Sequence, residues 1–216
     1  MNVLIVYAHP DPRSFQGVMK DHAVATLVER GHAVQVTDLY AMGFEAAAGP
    51  GDFTHGLGDA PFDLQNEQLY AAQNNTFSPE LVTEQQKVLW ADCLLLQCPL
   101  WWYSVPAILK GWIDRVLAYG FAYGQGHSLT GRRAMVVLTT GGPYRVYTPE
   151  MRTALVDLLD PLLRGTLFVC GFRVLPPFAV YGAASATSEQ RNEALRQYTE
   201  LLNTLERILP INYSAG

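Results

Sequence analysis

The stretch Cys93-Leu94-Leu95-Leu96-Gln97-Cys98-Pro99-Leu100-Trp101-Trp102-Tyr103-Ser104-Val105-Pro106-Ala107-Ile108-Leu109-Lys110-Gly111-Trp112-Ile113-Asp114-Arg115-Val116 decides how this chain is read. The apolar run Cys93 to Gln97 has the length and character of a strand covered on both faces. From Val105 onward, apolar residues at 105, 108, 109, 112, 113 and 116 recur with a helical period. Between the two lie Pro99 and the aromatic row Trp101, Trp102 and Tyr103. Three aromatics at a strand end suit a wall for a flat ligand, and they equally suit a cap over the core beneath a loop. Residue types alone leave both readings open.

Working outward, residues 2–8 form a second short apolar run, which stops at His9-Pro10-Asp11-Pro12-Arg13-Ser14. Two prolines forbid continuation as strand or helix. A helical pattern starts at Phe15 with Ser14 as its N-cap and closes at Gly31, and a strand follows over Ala33 to Leu39. This opening is a βαβ unit, whose ligands bind beyond the carboxyl ends of the strands, where helix N-termini offer free N–H groups. Loop 9–16 lies at such an end. It reads as a phosphate cradle with Arg13 as a counter-charge, or as an ordinary loop with His9 tied to a backbone carbonyl.

Residues 41–78 show the least pattern and are expected to be a long covering excursion without regular structure. Ser78-Pro79-Glu80 opens a helix to about Ala91. Downstream come a Gly/aromatic loop over 118–127 and a strand over Ala134 to Thr140. Then follow the turn Thr139-Thr140-Gly141-Gly142, a helix from about Pro149 to Arg164 and a strand from Arg173 to Val180. Thr187-Ser188-Glu189-Gln190 has capping-box spacing and starts a last helix to about Ile208. Strands alternate with helices throughout. The expected fold is therefore α/β, a single domain over 1–216 with a doubly wound five-stranded parallel sheet and helices on both faces.

At 49% hydrophobic and 16% charged residues, the chain has the composition of a packed globular protein. A net charge of −5 without a basic cluster argues against nucleic acid as a partner. Cys93, Cys98 and Cys170 show no CxxC spacing, so neither a disulfide framework nor a zinc site is indicated, and no other metal spacing is present. The N-terminus lacks a basic leader pattern and no apolar run reaches the ~20 residues of a membrane span, so a cytoplasmic protein without an integral membrane segment is expected. Neither GxGxxG nor GxxxxGK[ST] occurs. Three loops at strand ends carry the informative residues: 9–16, 99–104 and 139–147. A helix N-terminus, an aromatic row and a Gly-rich backbone edge together suit a flat ring with a phosphate tail, as in a flavin nucleotide.

At these loops the sequence resembles the flavodoxin-like NAD(P)H:quinone oxidoreductases of DT-diaphorase type. The resemblance rests on Tyr7-Ala8-His9-Pro10 with Ser14-Phe15, on Asp38-Leu39-Tyr40-Ala41-Met42, and on Ser78-Pro79-Glu80. It continues in Pro99-Leu100-Trp101-Trp102-Tyr103 with Val105 to Trp112, in Phe121-Ala122-Tyr123, in Thr139-Thr140-Gly141-Gly142 and in Cys170-Gly171-Phe172. It implies strand order 2-1-3-4-5 and a homodimeric flavoprotein carrying FAD, with FMN the alternative. It further implies hydride transfer from NADPH or NADH to a quinone by a ping-pong mechanism. On the matching positions, His9, Ser14, Phe15 and Gln16 hold the phosphate side. Pro99, Leu100, Trp101, Trp102 and Tyr103 line the isoalloxazine with Thr139, Thr140, Gly141 and Gly142. Tyr147 bonds the flavin where charge develops, and Phe121 and Tyr123 face substrate at the partner subunit's site. One departure stands out: Thr153 occupies the place where animal members carry a His, six residues beyond that Tyr. The chain looks more like the shorter bacterial members, some of which assist a potassium-efflux channel. A regulatory flavoprotein subunit and a flavodoxin-type electron carrier are the competing readings. A phosphoacceptor receiver is rejected, because strand 1 ends in His9 and strand 3 in Cys98-Pro99 rather than in an acid cluster.

Overall fold

The computed structural model describes residues 1–58, 61–125, 129–151 and 153–213. Its strands are β1 (Asn2–Tyr7), β2 (Ala33–Asp38), β3 (Cys93–Pro99), β4 (Arg133–Thr139), β5 (Arg173–Val174) and β6 (Phe178–Val180). The helices are α1 (Phe15–Glu29), α2 (Leu64–Asn74), α3 (Pro79–Trp90), α4 (Ala107–Val116), α5 (Leu155–Leu162) and α6 (Ser188–Asn203). All strand pairs are parallel, in the order β2-β1-β3-β4-β5. Alternate residues of each strand feed two cores, as the two-residue side-chain period requires. Leu4, Val6, Leu94, Leu96, Val136 and Leu138 pack with Leu81, Leu109, Trp112 and Leu159 of α3, α4 and α5. Val3, Ile5, Leu95, Met135 and Val137 pack on the other face with Met19, Leu27, Tyr198 and Leu202 of α1 and α6. The apolar runs are unbroken because both faces are covered.

Three expectations need correction. The last strand is not continuous from 173 to 180. Pro176-Pro177 cannot donate ladder bonds, so β5 and β6 pair with β4 as two separate pieces and the sheet has six strands. The helix expected from Pro149 begins only at Leu155, after a 3₁₀ turn at 144–147 and an extended N-cap residue at Ala154. Pro161 inside it removes a backbone donor, and the chain widens into a π-helical stretch over Leu163–Phe168. The excursion 41–78 holds a 3₁₀ turn at Pro50–Asp52 and the helix α2. That helix escapes a periodicity search because polar side chains dock it. Gln68 Nε2 donates to the Asp114 carbonyl at 2.8 Å, and its Oε1 accepts from Tyr119 N at 2.9 Å.

The excursion is also clamped onto α4. Buried Arg115 donates from Nε to Asp52 at 2.8 Å and from Nη1 to Glu80 at 3.1 Å, and it binds the Glu45 carbonyl. A Cβ on Gly111 would stand 2.1 Å from the Ala46 carbonyl oxygen, so only glycine permits this approach. No helix among the described residues is long and apolar enough to cross a membrane.

Candidate functional site

Because every strand runs the same way, the carboxyl ends of β1, β3, β4 and β6 gather at one edge. The strand order reverses between β1 and β3, and such a switch point opens a crevice. A cleft of about 330 Å³ lies there, lined by His9, Ser14, Phe15, Gln16, Pro99, Leu100, Trp101, Thr139, Thr140 and Gly141. The three loops singled out in the sequence therefore meet in one place. An adjoining open cavity of about 470 Å³ is lined by Leu100, Trp101, Trp102, Tyr103 and Tyr147.

The first loop is held tightly under α1. Ser14 Oγ accepts from Gly17 N at 3.1 Å, the expected N-cap, and a Cβ on Gly17 would lie 1.9 Å from the Pro12 carbonyl oxygen. His9 Nδ1 accepts from Asp11 N at 3.0 Å, and its ring lies 6.2 Å from that of Trp101. Gln16 is buried and donates from Nε2 to the Cys98 carbonyl at 2.5 Å. Its Oε1 is buried without a hydrogen-bond partner among the described residues. A buried amide oxygen left in that state is costly. Gln97, the polar residue of the buried run on β3, donates to the Gln16 carbonyl at 3.0 Å. It supports the loop from beneath. Its polarity within an apolar run was the available signal, and the sequence reading did not use it.

The aromatic row forms a tight reverse turn. Trp101 N donates to the Ser104 carbonyl at 2.9 Å and Ser104 N donates back at 3.0 Å. Trp102 and Tyr103 occupy the two central positions with φ of 49° and 61°, a left-handed pair normally filled by Asn or Gly. Two bulky residues held there store backbone strain of roughly 1–3 kcal/mol each, which is concentrated at functional sites. Trp102 is 95% exposed, so it is not a cap over the core. Tyr103 instead turns inward, its ring 6.4 Å from that of Tyr147.

The third loop is braced by the segment after β6. Thr140 Oγ1 donates to the Gly142 carbonyl at 2.7 Å, Gly182 N donates to the same oxygen at 2.8 Å, and Ala183 N donates to the Thr140 carbonyl at 2.9 Å. A Cβ built on Gly141 would meet nothing within 4 Å, so its backbone is bare on the cleft side. Tyr147 is only 9% exposed, and its hydroxyl lies over the Gly142 turn.

Two placements differ from expectation. Arg13 does not point into the cleft: Asp11 captures it through Nε at 3.1 Å and Nη2 at 3.3 Å, which also holds the Asp11 carboxyl below its ordinary range. The cation that does line the cleft is Arg191, near the start of α6, its guanidinium 5.6 Å from the Phe15 ring centre. Arg191, Ala183 and Ala184 were missed, since nothing local in the sequence marks them. Phe121 and Tyr123 do not line the cleft of their own chain. The Tyr123 ring lies 5.2 Å from that of Tyr119, tilted by 58°; Tyr123 accepts from Gln65 at 3.3 Å and borders a separate cavity of about 360 Å³ with Lys110, Gly165 and Val169. Gly126 and His127, at the end of that loop, lie outside the described residues.

Burial pushes the thiols of Cys93 and Cys98 up to about 12, and that of Cys170 to about 11, so none is a nucleophile near neutral pH. The cleft offers backbone N–H groups, hydroxyls, one guanidinium and flat aromatic faces. Groups of that kind suit a ring bearing phosphates, and no activated nucleophile stands among the described residues of the cleft.

Sheet order and cleft position together define a flavodoxin-like protein. A family model of the flavodoxin-like fold matches residues 1–202. Ribosyldihydronicotinamide dehydrogenase (quinone) of Mus musculus is 41% identical over 219 residues, spanning 97% of this chain and 94% of the mouse protein. NAD(P)H dehydrogenase (quinone) 1 of Cavia porcellus is 37% identical over 218 residues, spanning 98% of this chain and 79% of its own. Among solved structures, a candidate quinone reductase from Klebsiella pneumoniae superposes with a TM-score of 0.94 at 39% identity, covering 98% of this chain and 87% of that one. The chain belongs to the flavodoxin-like NAD(P)H:quinone oxidoreductase family.

Proposed function

We propose that this protein is a flavin-dependent NAD(P)H:quinone oxidoreductase working by a ping-pong mechanism. Family membership supports quinone reduction by an enzyme of this class. The observation that carries the flavin reading is the convergence of the three loops on one cleft, whose lining includes Gln16 with its buried, unpartnered Oε1. The residues present fit a flavin. Phe15 and Gln16 open α1, where helix geometry supplies no acceptor for the first amides, and Ser14, His9 and Arg191 add polar groups around an anionic tail. Pro99, Leu100 and the Trp101–Tyr103 turn supply one wall for the ring, and the Thr139–Gly142 backbone supplies the facing edge. When bound, the flavin takes hydride from the nicotinamide and yields it to the quinone, chemistry that no side chain provides.

Within this reading Tyr147 donates its hydroxyl hydrogen bond to the ring edge that becomes more negative, stabilising charge where it develops. Thr153 carries no group that would share a positive charge with that edge. Trp102 and Tyr103 exclude water from the ring face and offer a surface on which a flat acceptor stacks. FAD is the proposed flavin, with FMN the alternative. A homodimer is the proposed assembly: Phe121 and Tyr123 lie away from their own cleft, as residues serving a partner's site would. The electron-carrier reading is less suited, since a carrier needs neither the aromatic wall nor a wide cavity beside the ring.

The test begins with the absorption spectrum of the purified protein and identification of the released flavin. Steady-state kinetics with NADH, NADPH and ribosyldihydronicotinamide against a quinone should give parallel double-reciprocal lines with at least one donor. A protein that binds neither FAD nor FMN, or intersecting lines with every donor, would end this reading.

A further inference from the structure

Tyr147 belongs to a single 3₁₀ turn, Tyr144–Tyr147, flanked by irregular chain, so its backbone alone does not fix where its ring points. Its neighbours do. The Tyr181 ring lies 5.7 Å away, tilted by 44°, and the Tyr103 ring lies 6.4 Å away at 61°. Tyr181 is braced in turn by Tyr144, edge-on at 87° and 5.2 Å, although Tyr144 itself is 64% exposed. The residue after Tyr181 also matters. Gly182 N–H donates to the Gly142 carbonyl at 2.8 Å and contacts Thr140 Oγ1 at 3.3 Å. The adjacent pair Tyr181-Gly182, at the exit of β6, therefore braces both the buried tyrosine and the glycine turn beneath its hydroxyl.

We propose that Tyr181 is a positioning residue for hydride transfer, its ring holding the Tyr147 hydroxyl in register with the Gly141-Gly142 turn. This rests on the flavin reading of the preceding section. Three features favour positioning over general packing. Tyr181 is only half-buried, and it packs against the apolar core that includes Tyr147 without being one of that core's buried members. Its ring contacts run to Tyr144 and to Tyr147, which itself lines the cavity beside the cleft. Its backbone neighbour is bonded to the very turn whose edge the hydroxyl overlies. A hydrogen bond to developing charge is sensitive to displacements of about 1 Å, so loss of the supporting ring should act through Tyr147. The Tyr181 hydroxyl plays no part in this account; the ring does.

The experiment uses the flavin-loaded protein and four variants: Tyr181→Leu, Tyr181→Phe, Tyr144→Ala and Tyr147→Phe, together with the double variant Tyr181→Leu/Tyr147→Phe. Two quantities are read, the stopped-flow rate of flavin reduction and the two-electron midpoint potential of the bound flavin. Tyr181→Leu should slow reduction about tenfold and lower the potential by about 30 mV, the two-electron equivalent of tenfold. Tyr181→Phe should restore both. In the Tyr147→Phe background, Tyr181→Leu should add nothing further, because the hydroxyl it positions is gone. Should Tyr181→Leu fail to fold, Tyr144→Ala removes the outer brace from the exposed side and should shift rate and potential in the same direction, about threefold. Parental rate and potential in the folded Tyr181→Leu and Tyr144→Ala variants would overturn the proposal, as would an equal loss with and without the Tyr147 hydroxyl. Absence of bound flavin, or Tyr147→Phe reduced at the parental rate, would instead refute the reading beneath it and the proposal with it.

Discussion

Replacing Arg115 by Met tests the clamp between the excursion and α4. Arg115 is 4% exposed and Asp52 is 2% exposed, with the guanidinium donating from Nε to Asp52 Oδ1 at 2.8 Å. The same guanidinium reaches Glu80 at 3.1 Å and sits 4.8 Å over the Phe44 ring. Without it, the buried Asp52 carboxylate keeps, among the described residues, a 3.3 Å bond from Gly49 N. Breaking a buried pair on one side costs about 3–5 kcal/mol, because the remaining charge stays desolvated. At roughly 2–4 °C per kcal/mol for a chain of this size, Tm should fall by about 6–20 °C. Methionine retains much of the buried stem volume, so the cavity contribution is small. The double variant Arg115→Met/Asp52→Leu should recover most of the loss, since an apolar pair of similar volume is often neutral to stability. Urea unfolding of the flavin-free protein, followed by circular dichroism, reads both effects as midpoint changes at constant m. A single variant within about 1 kcal/mol of the parent, or a double variant no better than the single, would show that the pair is not the clamp described.

Three further outcomes follow from the site and the core. Tyr147→Phe should slow flavin reduction about ten- to a hundredfold, the equivalent of roughly 1.5–3 kcal/mol for a hydrogen bond to developing charge, as measured by stopped-flow absorbance. Trp102→Ala should leave the urea midpoint of the flavin-free protein unchanged, since the side chain is 95% exposed, and should weaken flavin or quinone binding by roughly 0.5–1.5 kcal/mol beyond lost area; equilibrium titration against the parent decides. Cys93 and Cys98 keep their protons to about pH 12 when folded but lose them from pH 9.0 when unfolded, so their contribution to stability is complete below pH 9.0 and is lost as pH rises toward 12. Denaturation midpoints measured from pH 8 upward should fall across that window, and a disulfide reagent at pH 8 should label these two thiols only on unfolding.

The amino-acid sequence by itself determined the layered α/β plan and the edge at which to look for a site. Apolar runs covered on both faces and helical periods are local properties, as are the caps: Ser14 takes Gly17 N, and Thr187 and Gln190 form their reciprocal box. Ser78 is the exception, because Pro79 starts that helix while the serine side chain makes no capping bond. The boundary of the last strand was also readable, since Pro176-Pro177 forbids ladder donors, although the apolar residues around it masked the break. Polar docking was not readable. α2 has no apolar stripe to reveal it, and its place depends on Gln68 meeting α4 far along the chain.

Within the candidate site the division is similar. Loops 9–16, 99–104 and 139–147 were legible because each follows an apolar strand and carries residue types unsuited to a core. What only the tertiary structure decided were choices among long-range partners. Arg13 is taken by Asp11 and leaves the cleft, while Arg191 arrives from the last helix to line it. The aromatic row divides between an exposed Trp102 and an inward Tyr103, because a reverse turn closed by Trp101 and Ser104 sends successive side chains in different directions. Tyr147 is buried by Tyr103 and Tyr181, residues from two other loops. Local sequence sets which groups are available at a strand end, and the folded packing of distant segments decides which of them face the same cleft.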